Sequence, residues 1–406
     1  MTTPVALQRL IPSDMVERGA RPFDPPAGLR DLRGRGAVQP LTLANGASAW
    51  LVTGLEEARA VLGDLRFSSD RVRHPDATQP AAPAPPAGER TDGTFVFMDP
   101  PEHTRLRKLL TGQFTVRRMR ALESHISDIA VRHIEAMTAA GTEADLVPAY
   151  AQPIPSLVIC ELLGVDYADR AEFQQRTAVA LNSSTPPDER RRAAGELYRF
   201  IRELVAVKLA DPGDDILSGL IHDADPPLTD TQLTDMAVVL LGAGHETTAN
   251  MLGLSTFALL QHPEQLAALR ADPGLLDNAI EELLRFLSII QMGVSRVATE
   301  QLTVGGVDIP AGATVIIATP ETNRDPRHWD DPDRLDVHRP RTSHLAFGHG
   351  IHQCLGQQLA RVEMKAGLGE LFTRLPKLRL AVPAEQVPLR NEMLIFGVHS
   401  LPVTWA

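Results

Sequence analysis

Apolar residues recur three and four positions apart through most of this chain, the period of helices that bury one face. Leu106, Leu109, Leu110 and Phe114 form one such stripe, and Ile126, Ile129, Ala130, Ile134 and Met137 another. Residues 155–164 read as an apolar helix that holds Cys160 and stops at Gly164. The longest run opens at Thr229 and Asp230, reaches about Gln261 and is stopped by Pro263; Thr before and Pro after are the expected punctuation. A further helix covers 277–287, and a last one follows Cys354 and ends at Leu375. Against this pattern stands a minor β portion. Residues 299–317 read as short strands with a hairpin turn at Gly305-Gly306, and 377–405 as strand-like. The fold class is mainly α with a minor β portion, in one large domain over residues 1–406. A Pro/Ala-rich island at 75–92 and a shorter one at 183–187 read as long loops within it.

The net charge is −11, a poor basis for binding nucleic acid. Residues 1–14 lack the charged and apolar blocks of a secretory signal. The charge-free stretches 36–55 and 247–263 are broken by polar residues, so neither reads as a membrane span. The expectation is a cytoplasmic protein without membrane or nucleic-acid partners.

Only two cysteines occur in 406 residues, which excludes a disulfide scaffold. Cys160, inside Leu157-Val-Ile-Cys160, reads as core filler. Cys354 sits in Phe347-Gly348-His349-Gly350-Ile351-His352-Gln353-Cys354-Leu355-Gly356, between strand-like sequence and a helix start. The glycines permit tight turns, and the positive end of the following helix is expected to lower the thiol pKa. Zinc would need partner ligands that the sequence does not offer. A nucleophile assisted by His349 or His352 and a single thiolate on haem iron both remain.

The spacing Phe347-x-x-Gly350-x-x-x-Cys354-x-Gly356 resembles the haem-binding loop of the cytochrome P-450 family. The resemblance implies a helical prism enclosing haem b (iron protoporphyrin IX) between the central long helix and the helix after the Cys loop. It implies that Cys354 ligates the iron, that Phe347 shields the sulfur, that Gly348 and Gly356 belong to the haem-binding loop, and that His352 bonds a propionate. Ala243-Gly244-His245-Glu246-Thr247-Thr248, inside the long helix, resembles the family's oxygen-activation motif. By that match Thr247 hydrogen-bonds iron-bound dioxygen, Glu246 helps deliver protons, Ala243 and Gly244 leave room for the haem, and His245 is structural. Glu282-Leu-Leu-Arg285 and Arg339 match the family's structural triad, although Glu-x-x-Arg also occurs at Glu56/Arg59, Glu102/Arg105, Glu189/Arg192, Glu196/Arg199 and Glu321/Arg324. His103, Arg107 and Arg296 match its propionate clamp.

The likeness is to the bacterial, actinomycete-type members. It implies a monooxygenase that uses O2 as co-substrate to hydroxylate or epoxidise a hydrophobic secondary metabolite of macrolide, polyketide or terpenoid class. Peroxide-driven or oxidative-coupling haem-thiolate chemistry is the alternative. By family position Val179, Leu240, Ala243, Ile290, Met292, Val294, Ile395 and Phe396 line the substrate, with the two islands as lids. No nucleotide-binding turn follows a strand, so NAD(P)H electrons would arrive indirectly, through a ferredoxin and its reductase. Arg105, Lys108, Arg117, Arg118, Arg120, Arg361 and Lys365 form the expected basic docking face.

Overall fold

A computed structural model of the chain describes residues 11–19, 21–70, 73, 92–166, 169, 173, 175–176, 179–180, 185–292, 294–391 and 393–406. Its longer helices are α1 Leu55–Gly63, α2 Glu102–Gln113, α3 Glu123–Ala140, α4 Pro153–Leu162, α5 Pro187–Ala210, α6 Ile216–Asp223, α7 Asp230–Gln261, α8 Pro263–Ala271, α9 Leu276–Leu287 and α10 Gln357–Arg374. The strands are β1 Val38–Thr42, β2 Ser48–Val52, β3 Phe67–Ser68, β4 Glu143–Asp145, β5 Val294–Ala298, β6 Leu302–Val304, β7 Val307–Ile309, β8 Thr314–Ile317, β9 Arg379–Leu380 and β10 Pro402–Thr404.

The axis of the fold is α7. Its 32 residues at 1.5 Å each run for about 48 Å, so it crosses the molecule. Thr229 and Gln232 close a capping box at its start: each backbone N–H donates to the other's side-chain oxygen, both at 3.1 Å. Pro263 cannot continue it, and α8 begins there. The helix packs against α4, α5 and α10 and is buried at most positions from Leu233 to Leu259. Gly367 of α10 shows how closely two helices approach: a Cβ there would lie 2.7 Å from a Leu252 methyl. Tyr150 locks the same contact by donating its hydroxyl to Gly367 O at 2.7 Å.

One large apolar core joins the helices, and two smaller ones lie on either side of a five-stranded sheet. That sheet has the order β1-β2-β8-β5-β3; β2 and β8 run parallel and the other pairs antiparallel. β4, β10 and β9 form a second sheet, and β6 with β7 the expected hairpin, with Gly305 and Gly306 at positive φ. The helical fold class stands.

Two β expectations change. The sheet draws β1 and β2 from the 36–55 stretch, whose alternation the sequence reading weighed only as a membrane candidate. The 377–405 tail contributes only β9, β10 and the isolated bridges Ile290–Ile395 and Leu389–Val398. Its apolar residues serve packing onto α7, where Val398 meets Gly253, rather than a long ladder. Of the proposed lids, the 75–92 island apart from Asp92, and Ser183 and Ser184 of the second, lie outside the described residues, as does Leu181. Among the described residues no helix is long and apolar enough to cross a membrane.

Losing the cap should loosen the first turn of α7 without touching the site. Thr229→Ala is expected to lower stability by about 1 kcal/mol. Urea unfolding followed by far-UV circular dichroism reads this, and an unchanged midpoint would contradict it.

Candidate active site

The loop to Cys354 depends on two glycines. Gly348 has φ +70° and Gly350 φ +72°, and a Cβ on Gly350 would sit 2.3 Å from Leu62 O of α1. Cys354 N–H donates to Phe347 O at 2.8 Å and closes the loop. Gly356 differs: its φ is −81° and a Cβ there would meet nothing within 4 Å, so the turn does not require glycine at that place. Its N–H instead faces the Cys354 sulfur. Cys354 keeps accessible surface, yet protein surrounds its thiol, as for a side chain on an internal wall. The expected lowering of the thiol pKa is overturned. Burial pushes it up and outweighs the Gly356 N–H, Arg107 and Arg361, which act the other way.

Beside this loop lies a basic cluster. His103 of α2 is 1% exposed, and neither ring nitrogen has a hydrogen-bond partner among the described residues. The His352 ring stands 4.1 Å from it, centroid to centroid. Arg107, one turn further along α2, donates to Gln353 O, and Arg296 of β5 is buried with Nη1 donating to Ser295 O at 2.8 Å. Burial, then Arg296, His103 and Arg107, push the His352 pKa down to about 3, which keeps the ring neutral. The carboxylate nearest the cluster, Asp99, is held by Ser68 and by Ser69 N–H. Two guanidinium groups, the buried His103 ring and the half-buried His352 ring thus stand together with little negative charge among them. His352 is committed to this cluster rather than to Cys354, which disfavours the Cys–His nucleophile.

The middle of α7 carries the one interruption in its burial. Val238, Val239, Gly242, Ala243, Gly244, Glu246 and Thr247 keep accessible surface there, and of these Val239, Ala243, Glu246 and Thr247 share one helix face at spacings i, i+4, i+7 and i+8. Thr247 Oγ donates to Ala243 O at 2.6 Å, which fixes the hydroxyl and leaves its oxygen free to accept. Gly244 turns toward α4, where a Cβ would touch Ile159 at 3.5 Å, so helix packing alone accounts for it; a Cβ on Gly242 would meet nothing within 4 Å. His245 is buried, and desolvation with Arg390 brings its pKa to about 4. Thr248 bonds Glu363 of α10, a carboxyl 2% exposed whose pKa burial raises to about 8.

The model of the family "Cytochrome P450" matches residues 208–405. Cytochrome P450-SU2 of Streptomyces griseolus is 47% identical over 95% of this chain and 94% of its own length. Pentalenic acid synthase of Streptomyces avermitilis is 45% identical over 95% of both. The crystal structure of Rif16 superposes with a TM-score of 0.85 at 53% identity, covering 98% of this chain and all of that one. The chain belongs to the cytochrome P450 family. It is a monooxygenase of the actinomycete type, in a family that works with haem-thiolate iron and O2.

The residues present fit that cofactor. A macrocycle with two carboxylates suits the unpartnered His103 nitrogens and the uncompensated Arg107 and Arg296. Phe347 packs under the Arg361 guanidinium, 4.6 Å from the ring centroid, next to the sulfur-bearing loop. Arg361 is held by Glu281, which also bonds His344. Burial alone would raise the Glu281 pKa, but those two partners bring it to about 2.

The predicted structural triad forms. Arg285 donates Nε and Nη2 to the Glu282 carboxylate at 2.7 and 2.8 Å, and Arg339 Nε adds a third bond at 3.1 Å. Glu321 and Arg324 are buried too, but with other partners: Glu321 meets Arg33, and Arg324 meets Asp333 and Asp24.

Two substrate-facing expectations are corrected. Phe396 is fully buried under the Arg18 guanidinium, 3.8 Å from the ring centroid. Met292 is 4% exposed and packs with Ile11, Leu29 and Leu51 on the far side of the sheet. Ile290 and Ile395 pair across a β-bridge and stay half-buried, as do Val179 and Val294; Leu240 is buried beside the accessible strip. The basic face is also reduced. Arg105 pairs with Glu102, Arg361 with Glu281, Lys365 with Glu123, and Arg118 approaches Asp214 at 4.0 Å. Lys108, Arg117 and Arg120 remain exposed without an ion pair among the described residues. Sequence reasoning missed Glu281, Glu363 and Arg390, none of which carries a local pattern.

Glu363 gives a pH test. Its folded pKa of about 8 exceeds the ordinary 4.5, so the native state holds the extra proton and stability falls as pH rises through that window. Glu363→Gln should match wild type near about pH 4 and exceed it by a margin that grows up to about pH 8 in urea unfolding. A gap that does not grow with pH sinks the assignment.

Proposed function

We propose that this chain takes electrons from a ferredoxin and inserts one oxygen atom of O2 into a hydrophobic secondary metabolite of macrolide, polyketide or terpenoid class. The reading treats residues 1–406 as one haem-binding unit, working in the cytoplasm, with NAD(P)H feeding the ferredoxin through its reductase. The observation that carries it is the combination of an accessible but desolvated Cys354 with the accessible stretch in the middle of α7 that holds Ala243, Glu246 and Thr247. The pentalenic acid synthase relative supports a secondary metabolite as substrate.

Cys354 would ligate haem iron, Phe347 would cover the sulfur, and His103, Arg107, Arg296 and His352 would hold the propionates. Thiolate-bound haem supplies O2 activation, with electron donation that favours O–O cleavage. Ala243 offers a methyl group and nothing larger on the strip, which leaves space at that wall. Thr247 Oγ, its proton committed to Ala243 O, can accept a hydrogen bond and pass a proton on. Glu246, adjacent in sequence, supplies a carboxylate that would take up a proton from solvent and hand it on toward Thr247. Leu240, Ile290, Val294 and Ile395 give the substrate an apolar wall that excludes water. Lys108, Arg117 and Arg120 are the cations left to meet an acidic ferredoxin.

Cys354→Ala should abolish the thiolate-type Soret band of the reduced carbon-monoxide complex. Thr247→Ala should retain that band and divert NAD(P)H electrons from product to peroxide; product yield per NAD(P)H equal to wild type would refute its role. For the docking face, Arg117→Glu with Arg120→Glu should slow ferredoxin-supported turnover strongly at low salt and weakly at high salt. Identical salt profiles would remove those residues from the docking site.

A further inference from the structure

The Glu246 carboxylate does not stand alone on α7. It forms an ion pair with Nη2 of Arg390, a residue 144 positions later. The same guanidinium donates Nη1 to Asn250 Oδ1 at 3.0 Å, and Asn250 Nδ2 donates to Glu246 O at 2.8 Å. Acid, amide and guanidinium thus close a ring across one helical turn, and its acid immediately precedes Thr247 in the chain. Both charged side chains are largely buried.

Arg390 is itself held in place. Its N–H donates to Gly397 O at 2.9 Å. Gly397 admits no side chain, since a Cβ would lie 1.9 Å from Asn250 Oδ1. The segment that presents Arg390 also carries Ile395, which bridges to Ile290 on the substrate side. A free Glu side chain samples several rotamers, and fixing one of them lets it exchange a proton with a chosen neighbour.

We propose that Arg390 is a positioning residue for the oxygenation: through Glu246 and Asn250 it fixes the carboxylate beside Thr247, so that protons reach Thr247 Oγ by one route. The charged clamp comes from the C-terminal segment and not from α7, so no local motif encodes it. The inference rests on the relay reading of Glu246 and Thr247 above, and its test separates the two.

The test uses the haem-loaded protein with a plant-type ferredoxin, its reductase, NADPH and 7-ethoxycoumarin as probe. It reads peroxide released per NADPH oxidised. Glu246→Gln should raise that ratio several-fold, Arg390→Gln to the same level, and the double variant no further. Arg390→Lys, which keeps the charge, should return the ratio to near wild type, a rescue that a packing role for the guanidinium would not give. Identical carbon-monoxide spectra across the set establish that the thiolate site is intact. Urea unfolding is the readout independent of turnover: the losses in Glu246→Gln and Arg390→Gln should be non-additive in the double variant. Additive losses overturn the ion pair. An Arg390→Gln ratio equal to wild type, with Glu246→Gln raised, overturns the role of Arg390 alone. A Glu246→Gln ratio equal to wild type overturns the relay reading, and this inference with it.

Discussion

The Glu282 carboxylate, buried in α9, accepts four hydrogen bonds: two from Arg285, one from Arg339 and one from Asp336 N. An ionised carboxylate in the interior persists only when paired in this way, and removing one partner of such a pair typically costs about 3–5 kcal/mol. The path to the sulfur runs through it. Arg285 also donates to Asn323 O at 2.9 Å, and the Asn323 side chain accepts from Leu345 N at 2.6 Å, two residues before Phe347. The helix, the segment around residue 323 and the root of the Cys loop are thereby fixed against one another. Neighbouring Glu281 reaches the other way, to His344 and Arg361, and settles the Phe347 ring. Two adjacent acids on one helix thus organise both sides of the loop.

Around the site the electrostatics are unbalanced by design of the fold. His103 is buried with both nitrogens unpartnered, and His352 is driven down to about 3 by burial and by three neighbouring bases. The thiol of Cys354 is desolvated. Such groups destabilise an isolated chain and favour a ligand that brings anionic charge to one and a Lewis acid to the other. On α7, Glu246 is compensated by Arg390, and Thr248 bonds Glu363. Charge is thus left open in the basic cluster where a cofactor fits and compensated along α7.

Much of this was legible in sequence where the demand is local. Gly348 and Gly350 occupy left-handed backbone that favours glycine, and the Thr229 cap and Pro263 stop bound α7 where they stand. Periodicity found the helices, but family position misplaced two side chains in the irregular segments. Phe396 and Met292 turn into the core while Ile395 and Ile290 keep accessible surface, because isolated bridges set no alternation over a longer ladder. The basic face was over-read for a related reason. Arg361 and Lys365 look free in sequence, yet Glu281 and Glu123 neutralise them in the fold, and Arg105 was already paired by its i,i+3 spacing to Glu102.

The sequence by itself determined the helical class, the thiol-bearing loop and the hydroxyl–acid pair at Glu246-Thr247, because backbone sterics and helix periodicity act within a few residues. The family match singled out Glu282/Arg285, but only the tertiary structure decided that Glu321/Arg324 is buried as well, with different partners. It alone brought Arg390 to Glu246 across 144 residues, and Glu363 to Thr248. A charge or a hydrogen bond has no range along the chain, only through space. The groups that tune this site therefore come from segments whose local sequence gives no sign of what they will face.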